Sequence, residues 1–358
     1  MLGQRDEPTE AVEEYCRLLA GALQPKNISL EVLRLGWREL GWRASLQELR
    51  AQVAGRKIDW FLLQYTALSW SRRGFPLRAL RVIDTIQNTG AKCAVVFHDM
   101  QPYEGNRMVD IVRRAVQLHT MRSALKMAEV AVFTVRPENL AWVPRNVPRA
   151  VAIPVGANLP SPEEVWAQPK TGVDRVPTVA VFSFTDGSAR PSELEVIASA
   201  LRYARKALPD LQVELLGRNS VASGQALKEK LAGDDIAITV HGVVPAAEVV
   251  RILGGADVLL FVRNEISARR SSAIAGIACG LPVIGYQGPE TAAPITEAGV
   301  VLLAPQSPTQ FGPALLQVLT DAAYRGQLAE RSRAAHQQYF SWPAIAKRYA
   351  EELEKSDH

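Results

Sequence analysis

Cysteine is scarce in this chain of 358 residues: there are three, at positions 16, 93 and 279. They stand far apart, in no Cys-x-x-Cys pair and in no cluster with histidine. That pattern fits a reducing compartment and argues against a structural zinc site or a disulfide framework. Several catalytic signatures are missing too. There is no Gly-x-Gly-x-x-Gly, which counts against a nicotinamide-dependent dehydrogenase, and no P-loop, His-Glu-x-x-His or Ser/His/Asp order. No apolar run is long enough to span a bilayer and no basic-apolar-small leader opens the sequence, so the expected compartment is the cytoplasm. Repeats of solenoid type and low-complexity tracts are absent as well.

What is present is an ordinary globular composition, 47% hydrophobic and 22% charged, with chain enough for two cores. The net charge of +4 hides an asymmetry. Residues 1–150 hold 22 Lys and Arg against 15 Asp and Glu; the remainder holds 19 against 22. The basic residues of the first half include Arg72, Arg73, Arg78, Arg81, Arg107, Arg113, Arg114, Arg122 and Lys126. Solvated helix faces explain most of them one by one. Taken together they imply attraction to an anionic surface. An inner membrane leaflet suits this better than nucleic acid, since the basic segments lack the interleaved aromatics of a stacking platform.

Short apolar runs alternate with helical periodicity along the whole chain, which predicts α/β units with parallel sheets covered on both faces. In the first half, strands are expected at 28–33, 58–65, 94–97, 130–133 and 150–153, with helices from Thr9 to before Pro25 and at 45–53, 77–89 and 107–128. Proline and polar residues dominate 154–177, which reads as a linker. The rhythm then restarts with strands at 179–182, 211–216, 236–240, 256–262, 282–284 and 300–304. Helices are expected at 192–208, 225–231, 246–253, 313–319, 322–339 and 342–354. The boundaries are therefore a first domain at 1–153, a second at 178–340, and a terminal helix over 341–358 returning to the first. In doubly wound sheets ligands lie at the C-terminal strand ends, here in the cleft expected between the halves.

The most distinctive stretch is Ser267-Ala-Arg-Arg-Ser-Ser272, followed by a small-residue helix closed by Gly280 and Pro282. A helix start offers unpaired amides and the positive end of its dipole. With Arg269 and Arg270 beside it, this is a candidate phosphate or diphosphate site. Adjacent arginines diverge on a helix, so the expectation is that at least one faces the ligand. Ser267 and Ser272 also suit plain helix caps.

Gly-Arg-Asn at 217–219, His-Gly-Val at 241–243, Ala256-Asp-Val258, Ala278-Cys-Gly-Leu-Pro-Val-Ile284 and Phe340-Ser-Trp342 resemble the C-terminal domain of glycosyltransferase family 4. In the first half, Leu63-Gln-Tyr65 and Phe97-His-Asp99 resemble that family's acceptor-facing strand ends, and Ile153-Pro-Val-Gly-Ala-Asn158 its interdomain join. The resemblance covers residues 9 to about 354. It implies the GT-B fold, an α/β class of two Rossmann-like doubly wound domains facing across a cleft. The implied activity is a retaining, metal-independent transfer from a nucleoside-diphosphate-sugar, with no cofactor. The acceptor would be a lipid-linked or cell-surface glycan precursor, and nucleic acid is not expected as a partner.

Three departures stand out. The family's paired glutamates, eight apart, would fall at Ser267 and Ala275; both are missing, and Glu265 comes two residues early. A subset of the family carries Ser-x-Arg-Arg-Ser/Thr-Ser there instead. The usual Arg and Lys after the first strand of this domain are displaced, with Arg190 the nearest cation. Finally, the strand and glycine-rich turn that normally precede the first helix are lacking, so another segment is expected to fill that place in the sheet.

The resemblance then assigns roles. His98 and Asp99 are the catalytic candidates, with a structural histidine as the alternative for His98. Gln64 and Tyr65 face the acceptor. Arg269, Arg270, Ser267, Ser271, Ser272 and Arg190 hold the donor diphosphate. Arg218, His241, Gly242 and Val243 flank base and ribose, mainly through backbone groups. Glu290 and Gly288 approach the sugar, Glu290 in place of a lost carboxylate. Two other readings stay open: a degenerate glycosyltransferase that binds without turnover, motivated by the missing glutamates, and an epimerase on the same fold, which would need convergent carboxylates.

Overall fold

The computed structural model describes residues 1–4, 11–145, 147, 149–166, 176–187 and 190–355; of Arg190 it describes only the backbone. The chain divides into two compact units, one formed by Met1–Pro154 with Ile345–His358, the other by Val155–Ala344.

The first unit is built on four parallel strands in the order β1-β2-β3-β4: β1 (Trp60–Tyr65), β2 (Lys92–Phe97), β3 (Val130–Phe133) and β4 (Ala150–Ala152). The strands are nearly continuous apolar runs, as a parallel sheet buried on both faces requires. Its helices are α1 (Ala11–Leu23), α2 (Trp42–Val53), α3 (Ala67–Trp70), α4 (Arg78–Gln87) and α5 (Met108–Met127). An aromatic seam of Tyr65, Phe97, Phe133 and Trp142 runs through the core, Phe97 and Phe133 stacking at 4.9 Å.

The alternating segment 28–33 does not form the expected strand. The rung beside β1 belongs to the first residues instead. The Met1 amine donates to Leu62 O at 2.8 Å, Gln64 N donates to Met1 O at 3.0 Å, and Leu2 forms a parallel bridge with Arg34. Alternation alone cannot choose between two segments competing for one sheet edge, and Met1 and Leu2 bring two buried side chains to it.

The second unit holds six parallel strands in the order β10-β9-β8-β5-β6-β7. They are β5 (Thr178–Phe182), β6 (Gln212–Leu216), β7 (Ala237–Gly242), β8 (Val258–Glu265), β9 (Val283–Tyr286) and β10 (Val300–Leu303). The helices are α6 (Arg190–Arg205), α7 (Ser220–Lys230), α8 (Ala246–Gly255), α9 (Ser271–Ala278), α10 (Phe311–Thr320), α11 (Ala322–Ala335) and α12 (Trp342–Lys355), the last continuing into the first unit. A π-helical turn, His336–Phe340, ends the helix expected to run unbroken to residue 339. Strand order reverses between β5 and β8, and such a switch point opens a crevice outside the C-terminal strand ends. From Val155 on, the described part of the expected linker belongs to this unit: Val165 enters its core and Trp166 Nε1 donates to Ala278 O at 2.8 Å.

Two details set the geometry at the switch point. Gly276 lets α9 lie against β8, since a Cβ there would sit 2.6 Å from Leu259 Cδ2. The strand also outruns its apolar stretch: β8 passes Val262, shifts register after Phe261 and pairs Glu265 with Tyr286. That extension carries Arg263 to the sheet edge.

Candidate functional site

At the edge of the second sheet the residues after β8 gather around Arg269-Arg270. Arg269 is not free for a ligand: its Nε donates to Glu290 Oε2 at 2.6 Å and its Nη2 to Glu290 Oε1 at 3.3 Å, a forked pair on a carboxylate that is 3% exposed. Ser267 is fully buried, and its Oγ approaches the same Glu290 Oε2 at 3.4 Å. Ser267 and Ser272 are therefore not caps. The residue before α9 is Arg270, and no side chain caps the helix. Its first amides keep the unpaired character of an open helix start, with Ser271 exposed beside them.

Arg270 is the contrasting neighbour. Its Nε is buried without a hydrogen-bond partner. Burial, then the charges of Arg269 and Arg263, push its pKa down to about 10 against the pull of Glu290 and Glu265. Arg263, which sequence reasoning missed, donates from Nε to Thr185 Oγ1 at 3.2 Å, in the loop after β5. Burial foremost lowers its pKa, with Arg218 adding to the effect and Glu193 opposing it. Arg218 follows β6 and is exposed. Three cations from different elements thus converge on the strand ends flanking the switch point. The one available signal was a basic residue directly after the apolar run, four positions before the Ser-Ala-Arg-Arg motif.

A carboxylate pair lies next to the cations. Glu265 is held above the usual carboxylate range by burial, then by the nearby Glu290 charge. Its side chain runs over Gly288, where a Cβ would fall 1.9 Å from Glu265 Oε2. The expected position for the first lost glutamate, Ser267, therefore has a carboxylate beside it after all, supplied by residue 290. Ala275 is buried in α9 and brings no polar group.

The base and ribose candidates are dispersed. His241 lies within β7 and is bonded through Nε2 to Glu214, so its ring is engaged on the sheet. Gly242 O accepts from Gly217 N at 2.7 Å, which joins the β6 and β7 ends, and Val243 is exposed. The side chain of Arg190 lies outside the described residues.

At the edge of the first sheet most polar groups are satisfied internally, although Tyr65 Oη is buried without a hydrogen-bond partner. Gln64 is buried; its Nε2 donates to Leu62 O at 3.4 Å, which turns its Oε1 toward His98 Nε2 at 2.8 Å. His98 Nε2 is then the proton donor, and Nδ1 carries the lone pair. Burial lowers the His98 pKa to about 4, so the ring is neutral at neutral pH. Asp99 Oδ2 accepts from Ala67 N, the first amide of α3, at 2.6 Å, while Thr66 caps the helix by accepting from Ser69 N. Tyr65 is a correction: its ring is fully buried against Phe97, in the core and not at an acceptor surface. Asp99 also lines a cavity of about 330 Å³ with Arg72, Arg73, Gln101, Tyr103 and Arg113. Among the described residues no cluster of His, Cys, Asp and Glu is arranged to hold a metal ion, and no helix is long and apolar enough to cross a membrane.

No protein-family model matches the chain, and no curated protein sequence does. Solved structures do match. Sucrose-phosphate synthase from Thermosynechococcus elongatus aligns with a TM-score of 0.67 at 18% identity, over 99% of this chain and 95% of its own. HepE from Anabaena, solved with UDP and glucose, aligns at 0.64 and 15%, over 98% of each chain. WaaG, a glycosyltransferase involved in lipopolysaccharide biosynthesis, aligns at 0.61 and 15%, again over 98% of each. At these identities what is shared is the fold, and the chain has the GT-B fold of these glycosyltransferases.

Proposed function

We propose that the chain is a glycosyltransferase of the family 4 type, transferring a hexosyl group from a nucleoside-diphosphate-sugar with retention and without a metal. One observation carries this reading: Arg263, Arg270 and Arg218 converge, under-compensated, on the switch point beside the uncapped start of α9. A fold holds like charges together at a cost that a bound anion removes. The GT-B fold, shared with a protein solved with UDP and glucose, supports a nucleotide-sugar as that anion.

In this reading Arg270 and Arg263 grip the diphosphate, joined by Ser271, Ser272 and the α9 amides, with Arg190 assigned to the same group. As the glycosidic bond breaks, charge grows on the departing phosphate. Preorganised guanidinium groups and amide dipoles stabilise it with no reorganisation. Arg269 acts one step back, holding Glu290, which with Glu265 and the backbone at Gly288 binds sugar hydroxyls. Arg218, Gly242 and Val243 border base and ribose; the pairing of His241 with Glu214 leaves that histidine a backbone role. Retention follows if the acceptor attacks on the face the leaving group vacates, with the leaving phosphate as base. Neutral His98 offers Nδ1 to a hydroxyl of acceptor or sugar, and Asp99 positions the neighbouring loop. The acceptor is a lipid-linked or cell-surface glycan precursor, met at the inner face of an anionic membrane.

A thermal-shift screen with UDP-, GDP-, ADP- and TDP-sugars tests this directly, because a ligand that binds only the folded state raises the melting temperature. One donor should raise it and then release its nucleoside diphosphate when an acceptor extract is added. No shift with any of the four contradicts the reading; a shift without turnover marks the non-catalytic binding protein instead.

A further inference from the structure

The first half of α5 is built inside out. Its inward face is polar: Asp110, Gln117 and Thr120 are all buried. Asp110 accepts from Arg107 N at 3.2 Å and pairs with Arg113 at 2.6 Å. Gln117 bridges two loops, accepting from Tyr103 N at 2.6 Å and donating to Gly74 O at 2.9 Å. The outward face is apolar. Met108, Val109, Ile111 and Val112 are 78%, 48%, 55% and 53% exposed, and Ala115 continues the i, i+3, i+4, i+7 stripe into solvent. Only from Met121 onward do Ala124 and Leu125 restore the usual apolar-inward order. Scattered exposed apolar residues need no explanation, but a contiguous stripe over two turns marks an interaction surface.

The rim identifies the partner. Arg107 and Arg114 flank the stripe and are exposed. The 68–77 segment, tied to α5 through Arg113 Nε to Arg73 O at 2.9 Å, adds exposed Arg72, Arg73, Leu68 and Leu77. Within residues 101–119 the one exposed carboxylate is Glu104, since Asp110 is buried. Apolar side chains on a helix ringed by arginines match an anionic lipid interface, where apolar groups enter the acyl boundary and cations stay with the headgroups.

We propose that the first two turns of α5, with Leu68 and the flanking arginines, form a wedge that docks this chain on an anionic bilayer. This narrows the membrane contact of the functional reading to one element, but it does not depend on the donor chemistry. It also places the cavity lined by Asp99, Arg72, Arg73, Tyr103 and Arg113 beside the wedge, where the polar head of a membrane-borne acceptor arrives.

Co-sedimentation of the full chain with phosphatidylcholine vesicles, with and without phosphatidylglycerol, tests the wedge. The chain should bind the phosphatidylglycerol vesicles at low salt and lose that binding as salt rises. Ile111→Asp with Val112→Asp should weaken it about tenfold or more, with melting temperature and nucleoside-diphosphate binding unchanged. Each of Arg72→Gln, Arg73→Gln, Arg107→Gln and Arg114→Gln should weaken it about fivefold. If the aspartates perturb the helix, Met108→Ser with Ile111→Ser serves in their place. No binding to anionic vesicles at low salt overturns the wedge, as does undiminished binding by the folded variants. A dimer that the aspartates dissolve, with no vesicle binding, would instead assign the stripe to a second copy. Because nucleotide binding is read separately, failure of the wedge and failure of the donor site are distinguishable.

Discussion

The two sheets present C-terminal edges of opposite character. At β1 and β2 most polar groups answer one another: Gln64 meets His98, Asp99 accepts from the first amide of α3, and the imidazole is held neutral, while Tyr65 Oη is buried without a partner. At β5 and β8 they do not. Arg269 has Glu290, but Arg270 Nε is buried without a partner among further arginines. An edge without excess positive charge suits a ligand that offers hydroxyls. An edge left cationic suits one that brings negative charge. The difference is sharpest between the adjacent residues 269 and 270, whose neighbouring guanidinium groups have opposite fates.

Substitutions can break this contrast, and the largest effect belongs to Arg263 and Arg270. Arg263→Ala with Arg270→Ala should weaken nucleoside-diphosphate binding by about 100-fold or more, the loss expected for two charge-assisted hydrogen bonds, with little loss of stability. Arg269→Ala should do the reverse. It leaves the Glu290 carboxylate buried and unpaired, which costs about 3 kcal/mol in denaturant unfolding, and Glu290→Gln in the same background should recover part of it.

The neutral edge predicts a pH effect. In the unfolded chain His98 protonates near 6.5, in the folded protein near 4. The unfolded state therefore binds more protons between those values, so stability is full above 6.5 and falls as pH drops toward 4. Denaturant unfolding on both sides of that window should show a shallower decline for His98→Gln; an unchanged slope would remove the buried neutral ring. The smallest effect is at Ser272. Because it does not cap α9, Ser272→Ala should stay within about 0.5 kcal/mol, below the roughly 1 kcal/mol of a lost cap.

Much of the fold was legible because buried parallel strands are written as apolar runs, and all six strands of the second unit fall where such runs stand. Legibility failed where partners, and not local pattern, decide. Residues 28–33 alternate like a strand, yet Met1 and Leu2 take the rung. Tyr65 sits at a strand end but faces the aromatic core. The strand expected at 256–262 stops short of Arg263; β8 runs on past it to Glu265 and brings it to the switch point. Glu290 was expected to stand in for a lost carboxylate and lies beside Ser267, but its capture of Arg269 was not legible, since 21 residues separate them in sequence. The inverted face of α5 was hidden for a simpler reason: periodicity shows that a helix has two faces, and only packing shows which one is turned outward.

The central claim is that the clustered Arg263 and Arg270 exist for a diphosphate. Calorimetric titration of the wild-type chain and of Arg263→Ala with Arg270→Ala, each with UDP and with UMP, tests it most directly. The wild type should prefer the diphosphate clearly, and the double variant should lose that preference along with most of its affinity. Equal affinity of the wild type for UDP and UMP, or undiminished UDP binding by the folded double variant, would contradict it.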